Sequence, residues 1–429
     1  MNIAILGYGI EGESVYRYYS AKFPDARFVA YDNNLEPKNT LPDGVEFIGG
    51  VKDFKGIVAD LAVKTPAIAP WDIEVTGEVT TMTREFIKQC PAPIIGITGT
   101  KGKGTVASLV QSILDAAGKK TWLVGNIGVG AFDVLDQIGP EDIVIYELSS
   151  FQLWDLDVSP HIAVVLGIEP EHLDIHRDMN DYVAAKTHIA AHQKTGDAVI
   201  YLANNKYTQM VADQSVAESI PYPHSIGAHV QGGTFFYGNQ ALCSTDELKL
   251  PGVHNQLNAC AAITAVRSWV QDGSVITRGL AGFTGLPHRL RFVREVAGVQ
   301  YYDDSIATTP GSAIAALAAF EQPKLIILGG SYKGAQYDEL AEAVAGSSIR
   351  HVLLIGDEAT KIQTSLELSG VHEFTNLGSD VSMRQIVDEA QQRTQSGDVV
   401  ILSPACASFG MFTSYADRGD QFIAAVQRL

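Results

Sequence analysis

The sequence predicts an α/β protein of three domains, each built on a parallel or mostly parallel sheet. Three observations predict it. Short apolar runs (AILGYG, RFVAYD, IVIYEL, IAVVLGI and AVIYLA, then KLIILGG, HVLLIGD and DVVILSPA) alternate with helix-period segments. That rhythm belongs to βαβ units whose strands are covered on both faces. A glycine-rich turn follows a strand twice, at Gly7 to Gly12 and at Gly99 to Thr105. The length, 429 residues, suits about two to four domains.

The elements fall into three blocks. Residues 1–89 open with a strand, Gly7-x-Gly9-x-x-Gly12, a helix and a second strand ending at Asp32. Pro91 and Pro93 break the chain before IIGIT opens residues 90–285. Gly285-Leu286-Pro287 closes that block. Residues 286–429 begin with strands in RFVREVAGVQYYDD and return to βα alternation.

Composition narrows the function. Hydrophobic residues make up 46% and charged residues 19%, a folded rather than disordered balance. With 49 acidic and 31 basic residues the net charge is -18, the wrong sign for a nucleic-acid partner. An anionic ligand must be held locally, by backbone amides, a few cations and metal. Cys90, Cys243, Cys260 and Cys406 form no CxxC pair, which fits a reducing compartment and offers no zinc site. The start, MNIAILGYGIEG, lacks signal-peptide features, and no apolar run approaches the ~18 residues of a membrane span. The expectation is a cytoplasmic protein, a monomer, with no membrane partner.

The run Gly99-Thr100-Lys101-Gly102-Lys103-Gly104-Thr105 lies between a strand and a helical pattern. Its glycines let backbone N–H groups face a phosphate, the helix start adds partial positive charge, and Lys103 can reach terminal phosphates. A hydroxyl there can meet Mg²⁺, and Thr105 is the candidate. The bland alternative is a glycine-rich turn with a solvated lysine. Gly7 to Gly12, with Asp32 20 residues beyond Gly12, points to a diphosphate or nucleotide at that helix start without choosing which. Glu147 ends the strand IVIYEL, where a Mg²⁺ ligand belongs. Glu171 and His172 follow another strand. Lys186 lies in the helical pattern YVAAKTHIAAH, where the bland reading is a surface lysine.

In combination these motifs resemble the Mur ligases, ATP-dependent amide-forming enzymes of peptidoglycan synthesis. The resemblance rests on ITGTKGKGTV, GNIG (125–128), ELSSFQL (147–153), EPEHLD around His172, and AAK at Lys186. It continues through GVHNQLNA (252–259), TGLPHR (284–289), DDSIAT (303–308), GGSYK (329–333) and SPACAS (403–408). SSFQL with SPACAS is similar to the glutamate-adding branch. The resemblance implies a Rossmann-like N-terminal domain for a UDP-linked substrate, a central P-loop ATPase-type domain, and a Rossmann-like C-terminal domain for the amino acid.

It also implies roles. Gly99 to Thr105, with Asn258, Arg289 and Asp304, would bind ATP. Thr105, Glu147, His172 and a CO₂-derived carbamate on Lys186 would hold two Mg²⁺. Lys103, Glu147, His172 and Lys186 would carry the chemistry. Gly9, Ile10, Glu11, Asp32, Asn126 and Gln152 would meet the UDP-muramoyl substrate. Lys333, Ser408 and Tyr415 would hold glutamate. The implied reaction joins glutamate, D- ahead of L-, to UDP-N-acetylmuramoyl-L-alanine through an acyl phosphate.

The sequence departs from the family pattern at Lys101 and Gly104 (usually Asn and a hydroxyl residue), Ala67 (Gly), Ile306 (Lys) and Gly410 (Asp). GIEPE also replaces NVTED before His172. The departures bear on the amino acid more than on the reaction. The competing readings are the same reaction with L-glutamate, a folylpolyglutamate-type ligase, a catalytically silent nucleotide-binding relative, and a nicotinamide oxidoreductase. The last leaves the second glycine loop unexplained.

Overall fold

The computed structural model describes residues 1–37, 40–66, 68–125, 130–173, 175–250, 252–331 and 335–429, and at Ile10 the backbone alone. Asn126, Lys333 and Ala67 lie outside the described residues, as does the side chain of Ile10. The chain divides into two compact units. The first is Met1–Leu248 with Val253–Phe283, and the second is Lys249–Gly252 with Thr284–Leu429.

Two large parallel sheets lie in the first unit. The N-terminal one has the order Val45–Ile48, Arg27–Tyr31, Asn2–Leu6, Leu61–Lys64, Glu78–Thr81. Asn2–Leu6 is buried at four of its five positions because the sheet is covered on both faces. Gly7, at φ +86, turns the chain into helix Ile10–Lys22. A Cβ on Gly12 would lie 2.5 Å from the Gly7 carbonyl, so only glycine lets this helix start so close to the strand.

The central sheet has six parallel strands in the order Glu218–Tyr222, Ala198–Leu202, Ile162–Val165, Ile94–Thr98, Ile143–Glu147, Thr121–Gly125. Ile94–Thr98 and Ile143–Glu147 are buried throughout. Helix Lys103–Ala116 follows Ile94–Thr98, and Gly279 on helix Gly273–Gly282 lets the two helices touch: a Cβ there would meet the Ile113 backbone at 2.5 Å. The two sheets are joined by contacts that bury large side chains. Tyr18 meets Phe132 edge-on at 4.4 Å, Phe86 meets Tyr146 at 5.3 Å, and the buried Lys64 pairs with Asp155 at 3.0 Å.

The second unit opens with the expected strand pair, Arg291–Val296 against Val299–Asp303, and this pairing is antiparallel. The rest of its sheet is parallel, in the order Val299–Asp303, Val399–Leu402, Lys324–Gly329, Ile349–Ile355, Phe374–Gly378. Helices Pro310–Ala318, Asp338–Ala345 and Ala359–Leu368 supply one apolar layer, and Met383–Gln392 and Tyr415–Val426 the other. Among the described residues no helix is long and apolar enough to cross a membrane, and the four cysteines are free thiols.

Candidate active site

Strand order sets the site of the first unit. Ile94–Thr98, which leads into Gly99–Thr105, runs between Ile143–Glu147 and Ile162–Val165. Glu147 is level with Ile97, and Val165 with Thr98. The glycine loop, Glu147 and the Glu169–His172 segment therefore emerge side by side at the carboxyl ends of three adjacent strands. That edge is where open α/β sheets bind ligands.

The loop is shaped as a phosphate cradle. Gly99 has φ +149 and Gly102 φ +86, and Gly102 starts the helix with no side-chain cap. An uncapped helix start next to left-handed glycines presents N–H donors and partial positive charge to an anion. A Cβ on Gly102 would lie 2.7 Å from Asn258 Oδ1, and one on Gly99 would lie 2.6 Å from Leu166 Cβ. Asn258 thus packs on the loop itself, donating through Nδ2 to Asn255 Oδ1 at 3.1 Å. Lys103 Nζ folds back on the carbonyls of Gly99 (3.1 Å) and Thr100 (3.0 Å). Lys101 is exposed and faces Glu169 at 3.7 Å. Thr100 accepts from the Glu169 N–H at 2.9 Å and lies 3.1 Å from the Tyr182 hydroxyl, joining loop, neighbouring segment and helix Met179–Ala191.

Lys186 corrects the bland reading of a surface lysine. It is 1% exposed, and its Nζ donates to the Gly99 carbonyl (3.0 Å) and Thr98 Oγ1 (3.3 Å), above the Tyr182 ring. Burial holds its pKa well below the ordinary 10.5, and Lys103 nearby lowers it further. A lowered pKa favours the unprotonated amine, the nucleophilic form. Glu147 is buried at its strand end. His172 is half exposed and has φ +56, a conformation rare for a non-glycine residue.

The donor set fits Mg²⁺ in a particular way. Thr105 and Glu147 offer hard oxygens. Among the described residues, no group of three His, Cys, Asp or Glu side chains could hold a metal by itself. An ion here would need phosphate oxygens to complete its shell, as nucleotide-bound Mg²⁺ does.

In the N-terminal sheet, the second fingerprint glycine, Gly9, has nothing within 4 Å of the position of a Cβ. Asp32 Oδ2 accepts from the Tyr8 N–H at 2.7 Å, so the strand-end carboxylate braces the glycine turn. Glu11 lies in the first helical turn, and burial raises its pKa to about 7. Gln152 caps the short helix Ser150–Leu153, its Oε1 accepting from the Ser149 N–H at 2.9 Å.

The second unit holds the rest. His288 (φ +58) and Leu290 (φ +42) flank the exposed Arg289. Two such residues cost about 1–3 kcal/mol each, and a clamp holds them. His288 Nδ1 meets Asp303 Oδ2 at 2.7 Å, and the Ile306 N–H donates to the His288 carbonyl at 3.0 Å. Asp304 accepts from the Leu290 N–H (3.0 Å) and Ser403 Oγ (2.7 Å). Burial raises the Asp304 pKa to about 7. Arg418 is fully buried and donates to Ser305 and to the Cys406 carbonyl, tying DDSIAT to SPACAS. Ser408 is buried, whereas Tyr415 is exposed at the start of its helix. Gly410 has φ +91.

Sequence reasoning missed several of these groups. Ser150 stands inside ELSSFQL with no role given to it, and Lys64 and Arg418 carry no motif that separates them from surface polar residues. His176 alone had a signal, as the second histidine of HLDIH.

Comparison with known proteins places this geometry. The Mur ligase middle domain model matches residues 97–266, and the Mur ligase glutamate ligase domain model matches residues 288–406. The UDP-N-acetylmuramoylalanine–D-glutamate ligase of Clostridium kluyveri is 36% identical over 90% of this chain and 86% of its own. That of Clostridium acetobutylicum is 33% identical over 99% and 96%. The crystal structure of the UDP-N-acetylmuramate-alanine ligase of Thermotoga maritima shares the fold. Its TM-score is 0.60 at 18% identity, covering 100% of this chain and 99% of that one.

Proposed function

This chain belongs to the Mur ligase family, and from that premise we propose that it joins D-glutamate to UDP-N-acetylmuramoyl-L-alanine with ATP in peptidoglycan precursor synthesis. The relatives that are 33–36% identical carry that name. The observation that carries the reading is the shared sheet edge. The phosphate cradle, Glu147 and the buried amine of Lys186 lie at the ends of adjacent strands. A nucleotide-binding module without ligase chemistry has no use for a lysine buried there against the loop carbonyl. Residues 1–89, 90–285 and 286–429 are then the UDP-substrate, ATP and amino-acid domains.

The reaction is phosphoryl transfer followed by acyl transfer. A carboxylate oxygen of the L-alanyl end attacks the γ-phosphorus of ATP, and ADP leaves. The amine of glutamate, having lost its ammonium proton, attacks the acyl carbon, and phosphate departs from the tetrahedral intermediate. A free carboxylate has no leaving group for that second step, and phosphorylation supplies one. Gly99 to Thr105 and Lys103 hold the phosphates and offset charge gathering on the transferred group. Thr105, Glu147 and His172, with Lys186 as a carbamate, would hold two Mg²⁺. When bound, the metal supplies Lewis-acid stabilisation of the phosphoryl oxygens. In its unprotonated form the Lys186 amine would add to CO₂ and lose a proton, which would turn it into a carboxylate-like oxygen donor.

Gly9, Ile10, Glu11, Asp32, Asn126 and Gln152 are assigned to the UDP-muramoyl substrate. Asn258, Arg289 and Asp304 are assigned to ATP. Asp304 accepts once on each oxygen, from the Leu290 N–H and Ser403 Oγ, which leaves each a second acceptor site for a ligand hydroxyl. Lys333, Ser408 and Tyr415 are assigned to glutamate. The test is phosphate release from ATP with UDP-N-acetylmuramoyl-L-alanine and a panel of D- and L-amino acids. Release with D-glutamate is expected. Release with L-glutamate alone would move the specificity, and no release with any amino acid would sink the ligase reading.

A further inference from the structure

The geometry points to His176 as the residue that sets the spacing of the three segments carrying the proposed metal ligands. This inference rests on the metal roles proposed above. The side chain of His176 is fully enclosed. Its Nδ1 lies 3.0 Å from Asp181 Oδ2, and its Nε2 lies 3.0 Å from Ser150 Oγ. A carboxylate at Nδ1 fixes the tautomer: Nδ1–H donates to Asp181, and Nε2 accepts from the Ser150 hydroxyl. The ring stacks on Phe151 at 5.3 Å and 8°. Trp154 (4.5 Å) and Tyr182 (5.2 Å) enclose it further.

Each partner belongs to a different ligand-bearing segment. Ser150 follows Glu147 by three residues, at the first position of helix Ser150–Leu153. Asp181 lies in the first turn of helix Met179–Ala191, which carries Lys186. His176 itself closes the turn that displays His172. The His172 carbonyl accepts from the N–H groups of Ile175 (3.1 Å) and His176 (2.9 Å). One imidazole thus connects the segments of Glu147, His172 and Lys186. Its two nitrogens point to opposite sides of the ring, so a single rigid side chain bridges two elements, and the three aromatic rings deny it another rotamer.

Serine, histidine and aspartate in this order also make nucleophilic triads. That role does not apply here. Ser150 is 2% exposed and its hydroxyl is directed at an enclosed ring, so no acyl donor reaches it. His176 is a positioning residue.

The test is Mn²⁺ binding in the presence of ADP, followed by electron paramagnetic resonance, on the full chain. Removing an outer partner that orients metal ligands weakens metal affinity by about 10- to 100-fold. His176→Ala is expected to weaken Mn²⁺ binding at least about tenfold, and to raise the Mg²⁺ concentration that gives half-maximal phosphate release by a similar factor. ADP affinity without metal should stay within about threefold. Should the alanine variant fail to fold, His176→Phe fills the ring volume without the two hydrogen bonds, and the same loss is expected. His176→Gln, which can still reach Ser150, should recover part of the affinity. Ser150→Ala combined with His176→Ala should be no weaker than His176→Ala alone. Folded variants that bind Mn²⁺ as wild type does overturn the inference while leaving the proposed reaction standing. Wild type that binds no Mn²⁺ with ADP overturns the metal roles and this inference together.

Discussion

Replacing Gly102 with alanine tests the phosphate cradle directly. Gly102 sits at φ +86, and an alanine there pays the left-handed penalty of about 1–2 kcal/mol. Its Cβ would lie 2.7 Å from Asn258 Oδ1. Asn258 must then move, at the risk of its hydrogen bond to Asn255 at 3.1 Å, worth about 1 kcal/mol. The combined effect is about 2–3 kcal/mol against the loop conformation that receives phosphate. At about 1.4 kcal/mol per tenfold, ATP affinity should fall roughly 30- to 140-fold. The loop can relax locally, so thermal unfolding of the nucleotide-free protein should shift less than that energy implies. The assay is calorimetric titration with a non-hydrolysable ATP analogue, alongside phosphate release. A Gly102→Ala protein that binds the analogue within threefold of wild type would refute the cradle geometry.

Further expectations follow from the same contacts. Gly9→Ala should leave the unfolding midpoint unchanged, because a Cβ there meets nothing within 4 Å, yet raise the KM for the UDP-linked substrate. Gly12→Ala, 2.5 Å from the Gly7 carbonyl, should lower the midpoint, and equal effects of the two would contradict the fingerprint reading. Lys186→Met should abolish phosphate release and, in CO₂-free buffer, raise the melting temperature. A lysine whose pKa falls on folding binds fewer protons folded than unfolded, so wild-type stability climbs with pH up to the ordinary 10.5. The gap between variant and wild type should therefore be widest near neutral pH and close in alkali. Lys186→Ala should regain part of its activity with added short carboxylates, and full activity without them would remove the carbamate. Asp304→Asn should show the opposite trend. The Asp304 pKa rises from 3.8 to about 7 on burial, so wild type loses stability as pH climbs between those values. Urea midpoints should favour the asparagine variant increasingly from pH 4 to 7 and evenly above.

Much of this was legible before any coordinates. The strands preceding Gly7, Gly99 and Glu147 are continuous apolar runs, and a residue ending such a run must stand at the sheet edge. The chain divides at Phe283/Thr284, next to the Gly285-Leu286-Pro287 signal, because Gly and Pro interrupt both periodicities there. The burial of Lys186 was not legible. In YVAAKTHIAAH alanines stand on every side, so helical periodicity gives no inward face, and tertiary contacts with Tyr182, Thr98 and Gly99 decide it. The role of Asp304 was equally hidden. The family resemblance gives Asp304 to ATP and no role to Asp303, whereas the structure engages both in bracing His288 and Leu290. His176 was missed because Ser150 is distant in sequence, and because Ser150 and Asp181 each have an ordinary reason to exist at a helix start.

Thr100 carries one more consequence. Its hydroxyl lies within hydrogen-bonding distance of the Glu169 N–H, the Glu169 carbonyl and the Tyr182 hydroxyl, and its own N–H donates to the Gly167 carbonyl. The nucleotide loop and its neighbour therefore cannot loosen one at a time. In amide exchange, Thr100 and Glu169 should acquire deuterium at a common rate, and a nucleotide that slows one should slow the other equally. Serine in place of Thr100 should keep the two clocks synchronised, and valine should let them run apart.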